Sequence, residues 1–117
     1  MVFTIGYILQ LESGKYYVGI SDNINFRLEM HFNGNGSSWT KLHKPVKVLL
    51  LKAQVDKRWE KHTTLIMMRQ YGWENVRGGA WCQRNLKKAP KWMHVSSQEE
   101  AVFYLDKCKE GKTENTK

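Results

Sequence analysis

Two runs of aromatic and aliphatic residues near the start of the sequence constrain the fold more than any other feature. The first covers residues 3–11 and the second residues 16–20, and the polar segment between them contains Gly14. Two strand-like runs joined by a short glycine-containing loop predict a β-hairpin. This hairpin would place Tyr7 and Tyr17, ten residues apart along the chain, on neighbouring strands.

The rest of the chain alternates helical and extended patterns. Helix caps, glycine stops and the spacing of apolar residues predict four further elements. They are a helix over residues 23–32 capped by Ser21-Asp22, a mostly buried strand over 46–53, a helix over 57–71 capped by Asp56, and a last helix over 98–109. Residues 33–45 are predicted to be loop.

The order of these elements is β-β-α-β-α-α. It predicts an α+β fold with a small three-stranded antiparallel sheet flanked by helices. At 117 residues the chain is long enough to form one domain with its own core. We place this single domain at residues 1–110 and a flexible polar tail at residues 111–117.

The charge of the chain is strongly positive, which narrows the class of partner. The 19 lysine and arginine residues outnumber the 11 acidic residues and give a formal net charge of +8. Such a surplus on a small domain favours an anionic partner, with nucleic acid ahead of a membrane surface. No apolar run approaches the roughly 20 residues of a membrane-spanning helix, and the first residues lack the pattern of a secretion signal. We therefore expect an intracellular protein, in the cytoplasm or nucleus, that binds no membrane.

Five elements occur in a fixed order along the first 60 residues. They are Ile5-Gly6-Tyr7, Tyr17-Val18-Gly19, Arg27, His31 and Glu60. Each match alone is weak evidence for a family. The order and spacing of all five, together with their places on the predicted strands and helices, are specific. Together they resemble the GIY-YIG nucleases, and the resemblance extends over residues 3–79. The resemblance implies a metal-dependent endonuclease that hydrolyses phosphodiester bonds in DNA.

The sequence departs from the family pattern at two places. The glycine and isoleucine of the first motif are transposed, so Gly6 directly precedes Tyr7. The asparagine that the family carries after the glutamate-bearing helix falls near Gly72, and Asn75 stands three residues later. Other segments, such as Val76-Arg77-Gly78-Gly79, resemble small GIY-YIG domains of large DNA viruses and phages. That likeness implies a virus or phage as one origin of the chain.

The resemblance also implies a role for each of the five motif side chains. Glu60 would bind one Mg²⁺ or Mn²⁺ ion, whose other ligands are water and phosphate oxygens. Arg27 would hold the scissile phosphate through two hydrogen bonds. One of the two tyrosines would act as the general base, and we favour Tyr17, with Tyr7 orienting the water. His31 would relay a proton or contact the phosphate.

Further basic residues are candidates for contacts with the DNA backbone. They are Lys41, His43, Lys44, Arg77, Arg84, Lys87 and Lys88. Few residues follow Gly79, which leaves little room for a separate DNA-reading domain. We therefore expect the protein to recognise DNA structure or a short site, or to depend on a partner protein or a homodimer for specificity.

Two other functions fit parts of the same pattern. A catalytically inactive GIY-YIG scaffold would bind nucleic acid without cutting it, although the side chains that the family uses in catalysis are all present. An unrelated basic binding module would show the motif residues by coincidence. Cleavage of plasmid DNA with Mg²⁺, and its loss with EDTA, would separate the nuclease from both alternatives.

Overall fold

The computed structural model describes residues 3–79, 81–83, 86–88 and 90. This part of the chain forms an α+β fold with four strands and three α-helices. In chain order the elements are β1 (Ile5–Leu11), β2 (Tyr16–Ser21), α1 (Ile24–Phe32), α2 (Ser38–Leu42), β3 (Pro45–Lys52), α3 (Lys57–Tyr71) and β4 (Val76–Gly78). The helix predicted over residues 98–109, the predicted end of the domain at 110 and the tail at 111–117 lie outside the described residues.

The four strands form one mixed sheet in the order β3-β1-β2-β4. The predicted hairpin is confirmed, because β1 pairs antiparallel with β2 and Tyr7 lies opposite Gly19. β3 pairs antiparallel with the other side of β1, whereas β4 pairs with β2 in parallel. The prediction of a three-stranded antiparallel sheet was therefore wrong. β4 has three residues, which is too short for the alternation that reveals a strand, and it ends in glycine.

β3 lies at an edge of the sheet and is more exposed than its apolar sequence predicts. Leu51 is 48% exposed, so the prediction of a mostly buried strand was wrong. A bulge also interrupts its pairing: Ile8 pairs with Leu50, whereas the next residue of β1 pairs with Val48. The extra residue shifts the alternation of side chains. As a result, Val48 and Leu50 pack in different clusters, on opposite faces of the sheet.

Side chains at the N-termini of the two short helices, α1 and α2, cap them. Asn23 caps α1 by accepting a hydrogen bond from a backbone amide, one residue later than the predicted Ser21-Asp22 cap. α2 lies inside the segment that was predicted to be loop. It begins at a capping box in which the side chains of Ser37 and Thr40 each bond the other's backbone amide. Five residues are too few for a helical period to be visible in the sequence.

Helices cover both faces of the sheet, and the alternation of side chains along the strands divides the core into two clusters. The cluster on the α1–α2 face contains Tyr7, Leu9, Leu11, Tyr17 and Trp39. The cluster on the α3 face contains Ile8, Val18, Leu50, Trp59, Met67, Met68 and Val76. The predicted bounds of α3 and its apolar stripe are confirmed, with Trp59, Thr63, Ile66 and Met67 buried. Within the described residues, no helix combines the length and the apolar character needed to cross a membrane.

Candidate active site

The two motif tyrosines lie side by side on the α1–α2 face of the sheet. Tyr7 and Tyr17 are almost fully buried, and their ring centroids are 6.3 Å apart. Gly19 lies opposite Tyr7, and a side chain at that position would collide with the Tyr7 ring and hydroxyl. The glycine of the second motif therefore leaves the space that the Tyr7 hydroxyl occupies.

Packing on the α3 face of the sheet explains the transposed first motif, in which Gly6 directly precedes Tyr7. A side chain at Gly6 would collide with the Trp59 indole, which packs directly on the backbone of β1 there. Trp59 immediately precedes Glu60 on α3. The glycine at position 6 thus leaves room for the Trp59 ring against β1.

His31 connects the tyrosine pair to α2. Its imidazole is fully buried, with Nε2 2.8 Å from the Tyr7 hydroxyl and Nδ1 2.8 Å from the Thr40 hydroxyl. The ring also lies against Tyr17, with centroids 5.0 Å apart. Proton relay and phosphate contact were the two roles considered for His31. Full burial is compatible with the relay, whereas a contact with DNA would need the ring at the surface.

Burial and the charge of Arg27 set the protonation states in this cluster. Burial, followed by the positive charge of Arg27, lowers the pKa of His31 to about 4, so the imidazole is neutral at pH 7. Burial raises the pKa of both Tyr7 and Tyr17. The Arg27 guanidinium faces both tyrosine hydroxyls and opposes this rise. At neutral pH the cluster holds two protonated tyrosines beside a neutral histidine.

The lowered pKa of His31 predicts that the fold loses stability in mild acid. The unfolded chain binds a proton at His31 below about pH 6.5, whereas the folded chain does so only near pH 4. The free energy of unfolding should therefore fall by about 3 kcal/mol from this group between pH 7 and pH 4. Urea unfolding at both pH values measures the fall.

A pair of histidine variants isolates this contribution from the other groups that titrate in the same range. His31→Gln should be less stable at pH 7 but should show a shallower fall in acid. His62→Gln, at a partly exposed position on α3, controls for the replacement of a histidine elsewhere in the fold. Equal slopes in all three proteins would contradict a neutral, buried His31.

Glu60 approaches the tyrosines from α3. It lies half-buried in the first turn of that helix, and the backbone amides of Gly79 and Ile20 are close enough to its carboxylate to act on its pKa. Burial raises the pKa of Glu60, and the two amides oppose the rise. The carboxylate interacts electrostatically with both Tyr7 and Tyr17, so the acid and the tyrosine pair belong to one site.

The chemistry of the donors around Glu60 suits a hard divalent cation. Within the described residues, no group of three or more His, Cys, Asp or Glu side chains could hold a metal ion. An ion at Glu60 would therefore take one carboxylate from this part of the protein and complete its shell with water and phosphate oxygens. Mg²⁺ commonly binds in this way, whereas Zn²⁺ prefers several nitrogen or sulfur ligands.

Comparison with known families gives this geometry a context. The family of the GIY-YIG catalytic domain matches residues 4–75, which is well over half of the chain. The chain belongs to the GIY-YIG family. GIY-YIG nucleases act on DNA, and the domain indicates a nuclease-type function.

Several GIY-YIG relatives carry the name UPF0213 protein. One from Bacillus cereus is 33% identical over 52 residues, which are 44% of this chain and 54% of the relative. One from Xanthomonas campestris pv. campestris is 27% identical over 77 residues, 66% of this chain and 72% of the relative. One from Xanthomonas axonopodis pv. citri is 26% identical over 95 residues, 81% of this chain and 86% of the relative. The chain thus matches about half the length of the Bacillus protein, and no solved structure matches the chain.

The predicted DNA contacts of this GIY-YIG domain fall into distinct environments. Four lysines are exposed at the surface: Lys41, Lys44, Lys87 and Lys88. His43 is partly buried, and its ring packs edge-on against Trp39 with centroids 4.5 Å apart. Arg84 lies outside the described residues. The exposed lysines therefore remain candidates for phosphate contacts.

Arg77 is not among the surface cations, contrary to the prediction. It is 2% exposed, and its guanidinium donates hydrogen bonds to the backbone carbonyls of Gln83, Trp73 and Val76. The same group lies over the Trp39 ring, 4.3 Å from the centroid. These contacts hold the chain after β4 against the sheet, so the structure gives Arg77 a role in packing rather than a place on the DNA-facing surface.

Asn75, three residues after the position where the family carries its asparagine, links α3 to the hairpin. Its side chain accepts a hydrogen bond from Nζ of Lys15 at 2.7 Å and donates one to the Tyr71 carbonyl at 2.8 Å. These bonds connect the end of α3 to the β1–β2 hairpin.

Two contributors to the site were not predicted, namely Thr40 and the backbone amide of Gly79. Thr40 stands three residues after Ser37, which is the spacing of a capping box with threonine in place of the usual glutamate or glutamine. That spacing could have revealed both α2 and the position of Thr40. The Gly79 amide has no signal in the sequence, because the fold alone brings it to Glu60.

Proposed function

We propose that the protein is a DNA endonuclease that uses Mg²⁺ or Mn²⁺ to hydrolyse phosphodiester bonds. The observation that carries the proposal is the 2.8 Å hydrogen bond between the Tyr7 hydroxyl and Nε2 of a neutral His31. The Arg27 guanidinium faces the same hydroxyl, and Glu60 acts on it electrostatically. A proton-transfer pair, a fixed cation and a metal-binding carboxylate are the parts that general-base hydrolysis of a phosphodiester needs.

Tyr7, rather than Tyr17, is the general base in this proposal. Because burial raises its pKa, Tyr7 holds its own proton at pH 7 and must release that proton to accept one from water. Nε2 of His31 takes the Tyr7 proton while the Tyr7 oxygen takes one from the attacking water. Tyr17, which the Arg27 charge also influences, orients that water. The roles of the two tyrosines are thus the reverse of those that the sequence favoured.

Substrate binding makes proton transfer to His31 more favourable. The charge of Arg27 is one of the two causes that lower the pKa of His31. A DNA phosphate bound by Arg27 offsets much of this charge, so the pKa of His31 rises when substrate is present. A cation bound at Glu60 would stabilise the negative charge that develops on the leaving 3′-oxygen.

Cleavage of supercoiled plasmid tests the proposed activity. We expect nicked or linear plasmid with Mg²⁺ and with Mn²⁺, and intact plasmid with excess EDTA. A gel-shift assay in EDTA measures DNA binding separately from cleavage. Binding without cleavage under all metal conditions would support the inactive scaffold instead, and the absence of both would overturn the proposal.

We further propose that a partner protein or a second copy of the chain contributes to target selection. The exposed lysines Lys41, Lys44, Lys87 and Lys88 suit contacts with phosphates, which carry no sequence information. Maps of cleavage sites on random duplexes and on branched DNA test this proposal. Cleavage by a monomer at one defined sequence would contradict it, whereas cleavage at junctions would indicate recognition of DNA structure.

A further inference from the structure

A series of hydrogen-bonded polar groups continues from His31 into α2 and ends on the backbone. The Thr40 hydroxyl is fully buried and lies 2.8 Å from Nδ1 of His31. The same hydroxyl lies 3.1 Å from the Ser37 amide nitrogen and 3.2 Å from the Ser37 carbonyl oxygen. We infer that Thr40 is a positioning residue: it holds the imidazole proton on Nδ1 and keeps Nε2 free to accept the proton of Tyr7. This inference rests on the proposed function, because it concerns the acceptor in the proposed proton transfer.

The groups at the two ends of this hydrogen-bonded series determine the direction of its hydrogen bonds. At one end the Arg27 guanidinium, which can only donate a hydrogen bond, faces the Tyr7 hydroxyl. At the other end the Thr40 hydroxyl lies 3.2 Å from the Ser37 carbonyl, which can only accept, and 3.1 Å from the Ser37 hydroxyl. Between these ends, one placement of the protons gives the Tyr7 hydroxyl and both imidazole nitrogens a partner. In it Tyr7 donates to Nε2 of His31, and Nδ1–H donates to the Thr40 oxygen.

The opposite tautomer fits these contacts poorly. With the proton on Nε2, both His31 and Arg27 would donate to the Tyr7 oxygen, and the Tyr7 proton would need another acceptor. Of the two side chains that face the Tyr7 hydroxyl, Arg27 and His31, only His31 has an atom that can accept this proton. Thr40 would also have to turn its hydroxyl proton from the Ser37 carbonyl to Nδ1. A buried polar group left without a partner is costly, which favours the tautomer with the proton on Nδ1.

The loop before α2 holds the imidazole in this orientation. A side chain at Gly36 would collide with ring atoms of His31, including Nδ1, so the loop backbone packs directly against the ring. The groups that face His31 from the other elements are Tyr7 on β1, Tyr17 on β2 and Arg27 on α1. None of them lies at Nδ1, where Thr40 supplies the contact.

The test compares Thr40→Val, which keeps the shape but removes the hydroxyl, with Thr40→Ser, which restores it. Nitrogen-15 chemical shifts of the His31 imidazole report the tautomer in the full chain, without DNA or metal. We expect the Nδ1–H tautomer in the wild type and in Thr40→Ser. In Thr40→Val we expect the proton to move to Nε2, with kcat about 10- to 100-fold lower, as for the loss of other groups that orient an active-site histidine. KM and DNA affinity should change little.

Ser37→Ala controls for the stability of α2. It removes the other side chain of the capping box but leaves the Ser37 carbonyl that accepts the Thr40 proton. Its melting temperature should fall because a helix cap is lost, whereas its tautomer and kcat should match the wild type. An equal loss of kcat in Ser37→Ala would assign the effect to helix capping and overturn the inference.

Two further outcomes separate this inference from the proposed function. An Nε2–H tautomer in the wild type, or wild-type kcat in Thr40→Val, would overturn the role of Thr40 while the nuclease proposal stands. A wild-type protein that shows the Nδ1–H tautomer but cleaves no DNA would overturn the nuclease proposal and with it the catalytic role of Thr40.

Discussion

Glu60→Gln should abolish metal-dependent cleavage while the protein stays folded and still binds DNA. Glutamine keeps the shape of the side chain but removes the negative charge that a divalent cation needs. We expect the single-turnover rate to fall at least about 10²-fold, the lower end of the loss when one charge-stabilising group is removed from an active site. DNA affinity, measured in EDTA, should stay the same or increase slightly because a negative charge is lost.

Stability distinguishes the loss of a metal ligand from the loss of structure in this variant. Burial raises the pKa of Glu60, so the folded state disfavours the charged carboxylate at pH 7. Removal of that charge should leave the melting temperature unchanged or higher. Glu12→Gln, at an exposed position in the hairpin turn, is the matched control and should cleave at the wild-type rate. A Glu60→Gln protein that cuts as fast as this control would rule out Glu60 as the metal ligand.

The hairpin and α3 could be predicted because local patterns specify them. Strand-like runs on either side of a turn with Gly14 define the hairpin, and Tyr7 and Tyr17 follow from it. Asp56 caps α3 and Gly72 ends it, so Glu60 had to lie in the first turn of the helix. These parts of the site were predicted correctly in position because each depends on residues nearby in the chain.

The surroundings of His31 and Arg77 could not be predicted, because residues distant in sequence provide them. A spacing of four residues indicates that Arg27 and His31 share one side of α1, but not that this side turns toward the sheet. The contacts that bury His31 come from Tyr7 and Thr40, 24 and 9 residues away. Arginine is rarely buried, and the carbonyls and ring that bury Arg77 meet only in the fold.

The assignment of the general base depends on these distant contacts. The sequence favoured Tyr17, but it shows no contact that distinguishes two tyrosines on neighbouring strands of one hairpin. The fold distinguishes them by placing a neutral imidazole nitrogen 2.8 Å from the Tyr7 hydroxyl. A tyrosine whose pKa is raised by burial can serve as a base only when a neighbour removes its proton. This requirement makes the two tyrosines experimentally distinguishable.

Tyr7→Phe should reduce the cleavage rate by about 10²- to 10⁴-fold, the usual loss when a general base is removed. Tyr17→Phe should cause a smaller loss, because Tyr17 only orients the water in the proposed reaction. Single-turnover rates at saturating Mg²⁺ measure both effects, and DNA affinity in EDTA should be close to the wild-type value in each variant. Tyr71→Phe, which alters an exposed tyrosine stacked on Tyr16, is the control for removal of a hydroxyl.

A double variant tests whether Tyr7 and His31 act as one unit. If His31 receives the Tyr7 proton, His31→Gln should slow the wild type strongly but should add little to the loss already present in Tyr7→Phe, because residues that act together are not additive. Independent, multiplying losses would contradict the relay. An inactive Tyr17→Phe beside an active Tyr7→Phe would assign the base to Tyr17. Near-normal rates in both single tyrosine variants would remove tyrosine from the mechanism and leave His31 as the base.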